Sequence, residues 1–176
     1  MEELIAKISD RCKLSDEDQK LLRQTIRTLY FPKGSIVIAE GRVDDSIYFL
    51  EKGVWRAFIG SEDQEQTLWF AVAVEPVFSS WGYLRGLPSR FTISSSSDSI
   101  AIEMKKTTVD HLIHSSPLFS EMLQEIYVNI LLNVDNQLVD ISCPRAEKRY
   151  RAFVKKMPEI LKVVPLKEIA AYIGVT

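Results

Sequence analysis

Two hydrophobic rhythms divide this chain. Up to about residue 28 and again beyond residue 104, apolar positions recur at three- and four-residue steps; between them they cluster in short runs cut by glycine, proline and charged turns. The opening rhythm predicts a helix from Ser15 to Thr28: Ser15 is a good N-cap, Asp18 follows three residues later, and Leu21, Leu22 and Ile26 make an apolar stripe. The short runs are Ile36 to Ala39, Ile47 to Glu51, Val54 to Ile59, Thr67 to Val74, Phe91 to Ser95 and Ile100 to Met104. Turn residues separate them, and no helical stretch between them is long enough for a parallel crossover. That pattern predicts an antiparallel sandwich or barrel, with a jelly roll as the first choice. Ser79 to Arg85 is less strand-like and reads as a short helical turn, and Ser94 to Ser97 read as strand residues facing solvent or a pocket.

After Met104 the spacing predicts a short helix over Val109 to His114, ending before Pro117, and a long one over Leu118 to Ile141. The long helix carries two apolar stripes, Leu123, Ile126 and Ile130 on one side and Tyr127, Leu131, Val134, Leu138 and Ile141 on another. A surface helix needs one. Two predict that one packs on the barrel and one on a partner, most economically the same helix of a second subunit, with Asn133 and Gln137, which continue the first stripe, fixing register as buried polar groups do in coiled coils. Burial of both stripes within one subunit is the alternative. Ser142-Cys143-Pro144 marks a boundary dividing the chain into 1–143 and 144–176; a further helix is expected from about Pro144 to Met157, and Pro165 opens the last one.

In that last helix Ile169 and Ile173 lie four apart on one face, Ala170 is small enough to admit a second helix, and Gly174 stands where a helix stops and the backbone turns. This is the pattern of the first helix and turn of a helix-turn-helix, and no recognition helix follows Thr176 in the sequence. Two alternatives follow: the sequence is part of a longer DNA-binding protein, or it is a ligand-binding or dimerisation module that has lost DNA binding.

Charge bears on the first without deciding it. Residues 143–176 hold eight basic and three acidic side chains, a net of +5, while the rest of the chain holds 14 and 21, a net of −7. A basic segment on an acidic body is what attraction to phosphate requires of that segment, although a solvated helix face has the same charge. The amino terminus carries Glu2, Glu3, Lys7 and Asp10 and is no secretory signal, and no apolar run is long enough to span a bilayer, so a cytoplasmic protein is expected. Cys12 and Cys143 form no C-x-x-C pair, and His111 and His114 lack the companions a metal needs. No nucleophile with a base at recognisable spacing, P-loop or dinucleotide fingerprint is present, so no enzymatic activity and no certain cofactor are expected. Trp55, Trp69 and Trp81 either line a pocket or fill the barrel.

The order of small helix, glycine-punctuated strands, long helix and basic helix-turn-helix start resembles the Crp/Fnr family of bacterial transcription regulators. The resemblance is carried by Gly34-Ser35 through Glu40-Gly41, by Ser46-Ile47-Tyr48-Phe49-Leu50, by Gly53, by Pro88-Ser89-Arg90 and by Leu166 to Gly174. It implies an α+β chain: an antiparallel β jelly roll of the cyclic-nucleotide-binding type, a long dimerisation helix spanning Leu118 to Ile141, and a partial winged helix-turn-helix. It also implies a homodimer that binds promoter DNA, with Arg145, Lys148, Arg149, Lys167 and Thr176 as candidate DNA contacts, and no membrane association.

Cyclic-nucleotide-binding members carry a cassette resembling Phe-Gly-Glu and an arginine ten positions beyond the glutamate. Glycine admits backbone N–H groups to the phosphate, glutamate holds the ribose 2'-hydroxyl, and arginine forks onto the cyclic phosphate. The matching segment here is Phe78-Ser79-Ser80 with Arg90 at the right distance and Thr92 at a small hydroxyl position, making Ser79, Ser80, Arg90 and Thr92 the candidate ligand residues. Ser80 is too short and uncharged to replace the carboxylate, and losing that partner costs about 1 to 3 kcal/mol, roughly one to two decades in affinity. Cyclic AMP is therefore disfavoured as effector, which leaves another small anionic or nucleotide effector. Arg90 either binds that anion or closes the loop after Pro88.

Overall fold

A computed structural model describes residues 2–60, 64–72, 76–143 and 145–175, apart from the side chain of Glu3. Two helices come first, α1 (Glu2–Cys12) and α2 (Asp16–Thr25). The first was not expected, although Ile5, Ile8 and Cys12 are buried at helical spacing. Ser15 caps α2 as expected, its Oγ accepting from Asp18 N at 3.1 Å. The helix stops three residues short of the expected Thr28, because Arg27 to Phe31 is strand β1 and pairs with the last strand, Arg27 opposite Glu103. Pairing with a neighbouring strand overrides the local helical spacing.

Strands β2 (Ile36–Ile38), β3 (Ser46–Lys52), β4 (Val54–Ile59), β5 (Gln66–Val72) and the two-residue β6 (Pro76–Val77) follow, then helix α3 (Ser80–Arg85), β7 (Thr92–Ser95) and β8 (Ser99–Lys105). They form two antiparallel four-stranded sheets, ordered β1-β8-β3-β6 and β2-β7-β4-β5. Alternation places Trp55 and Ala57 of β4 inside with Ile38, Ile93 and Ala101, and turns Val54 and Arg56 outward. Trp55 is fully buried, its indole N–H donating to Ser99 Oγ at 2.8 Å. The serine run is not a solvent-facing edge: Ser95 and Ser96 are buried, and Ser95 Oγ lies 2.8 Å from Ser99 Oγ. Its hydroxyls satisfy polar groups where the sheets meet. At α3 a Cβ on Gly82 would come within 2.3 Å of the Asp44 carbonyl oxygen, so the helix lies flat on the chain entering β3 only because that residue has no side chain.

Helices α4 (Lys106–Ser115) and α5 (Pro117–Ile141) pack with α1 and α2 around Leu22, Ile102, Leu112, Phe119 and Leu123. Beyond Leu123, α5 leaves this cluster. At 3.6 residues per turn its barrel side carries Leu123, Ile126 and Ile130, the first of the two expected stripes. The exposed apolar positions in the rest of the helix are Val128, Leu131, Leu132, Val134, Leu138, Val139 and Ile141, the most open being Val139 at 72%. They include Leu131, Val134, Leu138 and Ile141 of the second expected stripe; Tyr127 alone turns away, packing on Phe78 at a ring distance of 6.1 Å within the subunit. Gln137 likewise does not wait for a partner helix: its amide donates to the Leu68 carbonyl of β5.

The chain ends with α6 (Ala146–Lys156), a 3₁₀ turn at Ile160–Lys162 and α7 (Leu166–Ile173). Gly174 closes α7 at φ +67°, the left-handed cap expected of it. Phe153, Ile160, Ile169 and Ile173 bury against Val54 and Phe70 on the outer face of β4 and β5, in a cluster separate from the barrel interior. Each such side chain contributes about 1.5 to 3 kcal/mol, and an eight-residue helix has no stability without that contact.

Candidate functional site

Between β5, α3, α5 and the α6–α7 pair runs a half-open groove of about 960 Å³. Its barrel wall is Leu68, Trp69, Phe70, Ala71, Phe78, Trp81 and Phe91; its helical wall is Ile126, Asn129, Ile130, Asn133, Val134, Gln137, Leu138 and Ile141 of α5. Trp69 and Trp81 both meet Phe91 edge-on, at ring distances of 5.9 and 5.8 Å, which fixes that end as an aromatic corner. Of the three tryptophans, Trp55 is core and the other two line the groove.

The four candidate ligand residues are not gathered at one point. Ser80, exposed at the first turn of α3, lines the groove. Ser79 is fully buried and caps α3, its Oγ 3.5 Å from Gly82 N. Thr92 Oγ1 accepts from Glu40 N at 3.2 Å, tying β7 to the β2 turn. Arg90 is exposed and holds its guanidinium over the Trp81 ring, 5.8 Å from its centre, and is not among the residues that line the groove. Among the described lining residues the charged side chains are Arg149 and Lys156, both from α6.

The cyclic nucleotide-binding domain family matches residues 28–116, just over half of the 176 residues. The chain belongs to that family. Across that domain and the helices around it, the fold is similar to that of solved Crp/Fnr-type regulators. FixK2 from Bradyrhizobium japonicum superposes with a TM-score of 0.73 at 14% identity, covering 86% of this chain and 79% of that one. A transcriptional regulator of the Crp/Fnr family from Eubacterium rectale gives 0.76 at 18%, covering 93% and 79%. The c-di-GMP responsive regulator CLP from Xanthomonas campestris gives 0.70 at 13%, covering 92% and 86%. No curated protein sequence matches the chain.

At the other end of the domain's groove, the candidate DNA contacts divide by role. Arg145 and Lys148 are exposed at the start of α6, and Lys167 is exposed in the first turn of α7. Arg149 points inward: its Nε donates to the Ile173 carbonyl at 2.6 Å, Nη1 to Cys143 at 2.7 Å and Nη2 to Gly174 at 3.4 Å. Thr176 and the boundary residue Pro144 lie outside the described residues, as does the end of the expected Thr67–Val74 strand. His111 is 56% exposed, with Nε2 3.1 Å from Asp18 Oδ1, and among the described residues no three His, Cys, Asp or Glu side chains are grouped to hold a metal.

The contact that sequence reasoning missed joins the domain to α7. Arg56, 7% exposed, reaches Glu65 with Nη2 and stands 3.7 Å from Glu168 Oε2 with Nε. Glu168 also accepts from Ser96 Oγ at 3.0 Å, and its backbone carbonyl accepts from Thr67 Oγ1 at 3.1 Å. The signal was an arginine alternating with Val54 and Phe58 on one face of an otherwise apolar strand. A cation there needs a buried carboxylate partner, but nothing local says which one.

Proposed function

We propose that this protein is an effector-responsive transcription regulator of the Crp/Fnr type. Residues 1–143 form the sensing and dimerising part, and 144–176 form the opening part of a helix-turn-helix domain. The groove carries the reading: its walls come from the barrel, the long helix and the α6–α7 pair at once. A ligand lodged there differs in its contacts whenever α6 and α7 shift, which is what coupling between two sites requires. The exposed Val128–Val139 stripe of α5 pairs with its copy in a second subunit. Arg145, Lys148 and Lys167 face phosphate, while Arg149 holds the corner that presents them. Ser80 contacts the effector, and Ser79, Arg90 and Thr92 shape the loop around it. Cyclic AMP is not the favoured effector, since the groove brings no carboxylate to a ribose among the described residues.

The reading requires no catalysis. Among the described residues no helix is long and apolar enough to cross a membrane, consistent with a cytoplasmic regulator. The test is DNA binding by the full gene product across a salt series. Affinity should fall steeply with salt, and replacing Arg145 and Lys148 together should reduce the log–log slope by about 2. A dimer with no salt-dependent affinity for promoter DNA refutes the regulator reading and favours a ligand-binding or dimerisation module without DNA binding.

A further inference from the structure

The groove's charge is one-sided, and its length suits a particular class of ligand. The lining residues of α5 run from Ile126 to Ile141, which at about 1.5 Å per residue is a trough some 22 Å long. One end is closed by the aromatic corner of Trp81 and Phe91; the other is bounded by Arg149, Lys156 and Tyr172. Both charged lining residues are cations, both stand at that second end, and the middle is apolar apart from a rim of side-chain amides. Arg149 directs its fork to three backbone carbonyls, so its hydrogen bonds there do not neutralise its charge. Asp140 lies with both cations in the small adjoining cleft, so that end keeps one net positive charge.

A cyclic nucleotide is a poor match for such a trough. It is compact and polar, and its phosphate would be called to the end opposite the α3 loop. The geometry points to an elongated amphiphilic carboxylate, a long-chain acyl anion, lying along α5 with its head group at Lys156 and Arg149 and its tail against Trp69 and Trp81. With C–C bonds near 1.5 Å, an extended chain advances about 1.25 Å per bond, so a sixteen-carbon acid spans about 19 Å and fits the trough. The exposed residues Val128, Leu132 and Val139 lie on the side of the helix opposite Ile126, Ile130 and Gln137, so a partner helix seated on them leaves the inner wall of the trough to the ligand, with Val134, Leu138 and Ile141 at the border of the two faces. The head group would sit on α6, the element that carries Arg145 and Lys148, placing the effector's charge directly on the DNA-facing segment.

This inference rests on the groove being the effector site, and one titration series separates the two. Dodecanoate, dodecanol and cyclic AMP are each titrated into the intact 176-residue protein, with quenching of tryptophan emission and calorimetry as readouts. Dodecanoate should bind at least tenfold more tightly than dodecanol. Lys156→Glu, at an exposed position, should weaken dodecanoate at least fivefold and leave dodecanol within twofold. Asn133→Trp, which fills the trough from an exposed helix position, should abolish binding of both, with circular dichroism confirming an unchanged fold. Equal affinity for acid and alcohol, or indifference to Lys156→Glu, overturns the acyl-carboxylate assignment. Cyclic AMP binding that Asn133→Trp blocks, without dodecanoate binding, overturns the ligand class but keeps the groove as effector site. Ligand binding untouched by Asn133→Trp removes the groove itself.

Discussion

Replacing Arg56 with methionine would leave Glu65 and Glu168 facing one another across the seam between β4 and α7, with the cation between them gone. Removing one partner of a fully buried pair costs about 3 to 5 kcal/mol. Here the carboxylates are about a fifth exposed, 22% and 21%, so water relieves part of the repulsion and about 2 to 3 kcal/mol is expected. For a chain of this length that lowers the unfolding midpoint by about 4 to 12 °C if the whole protein feels it. The chain has a cheaper response: α7 can leave the barrel face while the jelly roll stays folded, and the global loss then stops at the docking free energy of the α6–α7 pair. The assay is therefore twofold, thermal unfolding together with amide exchange resolved over residues 166–173. Arg56→Met should lower the midpoint, speed exchange in α7, or do both, and Glu168→Gln should do so less because its amide still meets Ser96 Oγ. If Arg56→Met leaves both readouts unchanged, α7 is not seated on β4 and β5 through this ion group, and the account of the domain junction fails.

Three further outcomes test other parts of the structure. In the proposed dimer Asp135 lies on the exposed stripe seven residues beyond Val128, so two copies meet as like charges; Asp135→Leu should tighten self-association by one to two decades in sedimentation equilibrium, and no change would place the interface elsewhere. Gly82→Ala drives a Cβ to within 2.3 Å of the Asp44 carbonyl oxygen and should cost about 1 to 3 kcal/mol in urea unfolding, whereas a neutral effect would mean α3 does not cross there. Burial opposes ionisation of Asp18, but hydrogen bonds from Ser15, Ser115 and His111 outweigh it and hold the carboxyl below its ordinary value of 3.8. Its stabilisation is therefore present above about pH 4 and lost as pH falls through the lowered folded value. Asp18→Asn should reduce stability at neutral pH and flatten its acid dependence below pH 4, and an unchanged acid limb would discount these bonds.

The parts of the fold legible in the sequence were those written by punctuation. Gly34, Gly41, Gly53 and Gly60 all take positive φ, and the turns they mark separate the expected strands. The cap at Ser15, the helical turn after Ser79 and the stop at Gly174 were legible for the same local reason. What escaped depended on partners distant in sequence. β1 is a strand because β8 is beside it, and two-residue β6 exists only through its pairing with β3. On α5 the apolar stripes were legible, but not that Phe78 claims Tyr127 and Leu68 claims Gln137. In the candidate site the sequence pointed to Ser80, but it could not show Arg90 lying over Trp81 or Glu168 reaching Arg56.

The three carbonyls gathered by Arg149 have a mechanical consequence. Cys143 follows the end of α5, while Ile173 and Gly174 end α7, and a single guanidinium on α6 staples all three together. The junction after the long helix is thus braced like a bracket, not articulated like an elbow. Any swing of the C-terminal segment must be inherited from a tilt of α5 itself or come from slippage over the β4–β5 surface, with Cys143 and Arg149 carried along as cargo, not acting as a pivot.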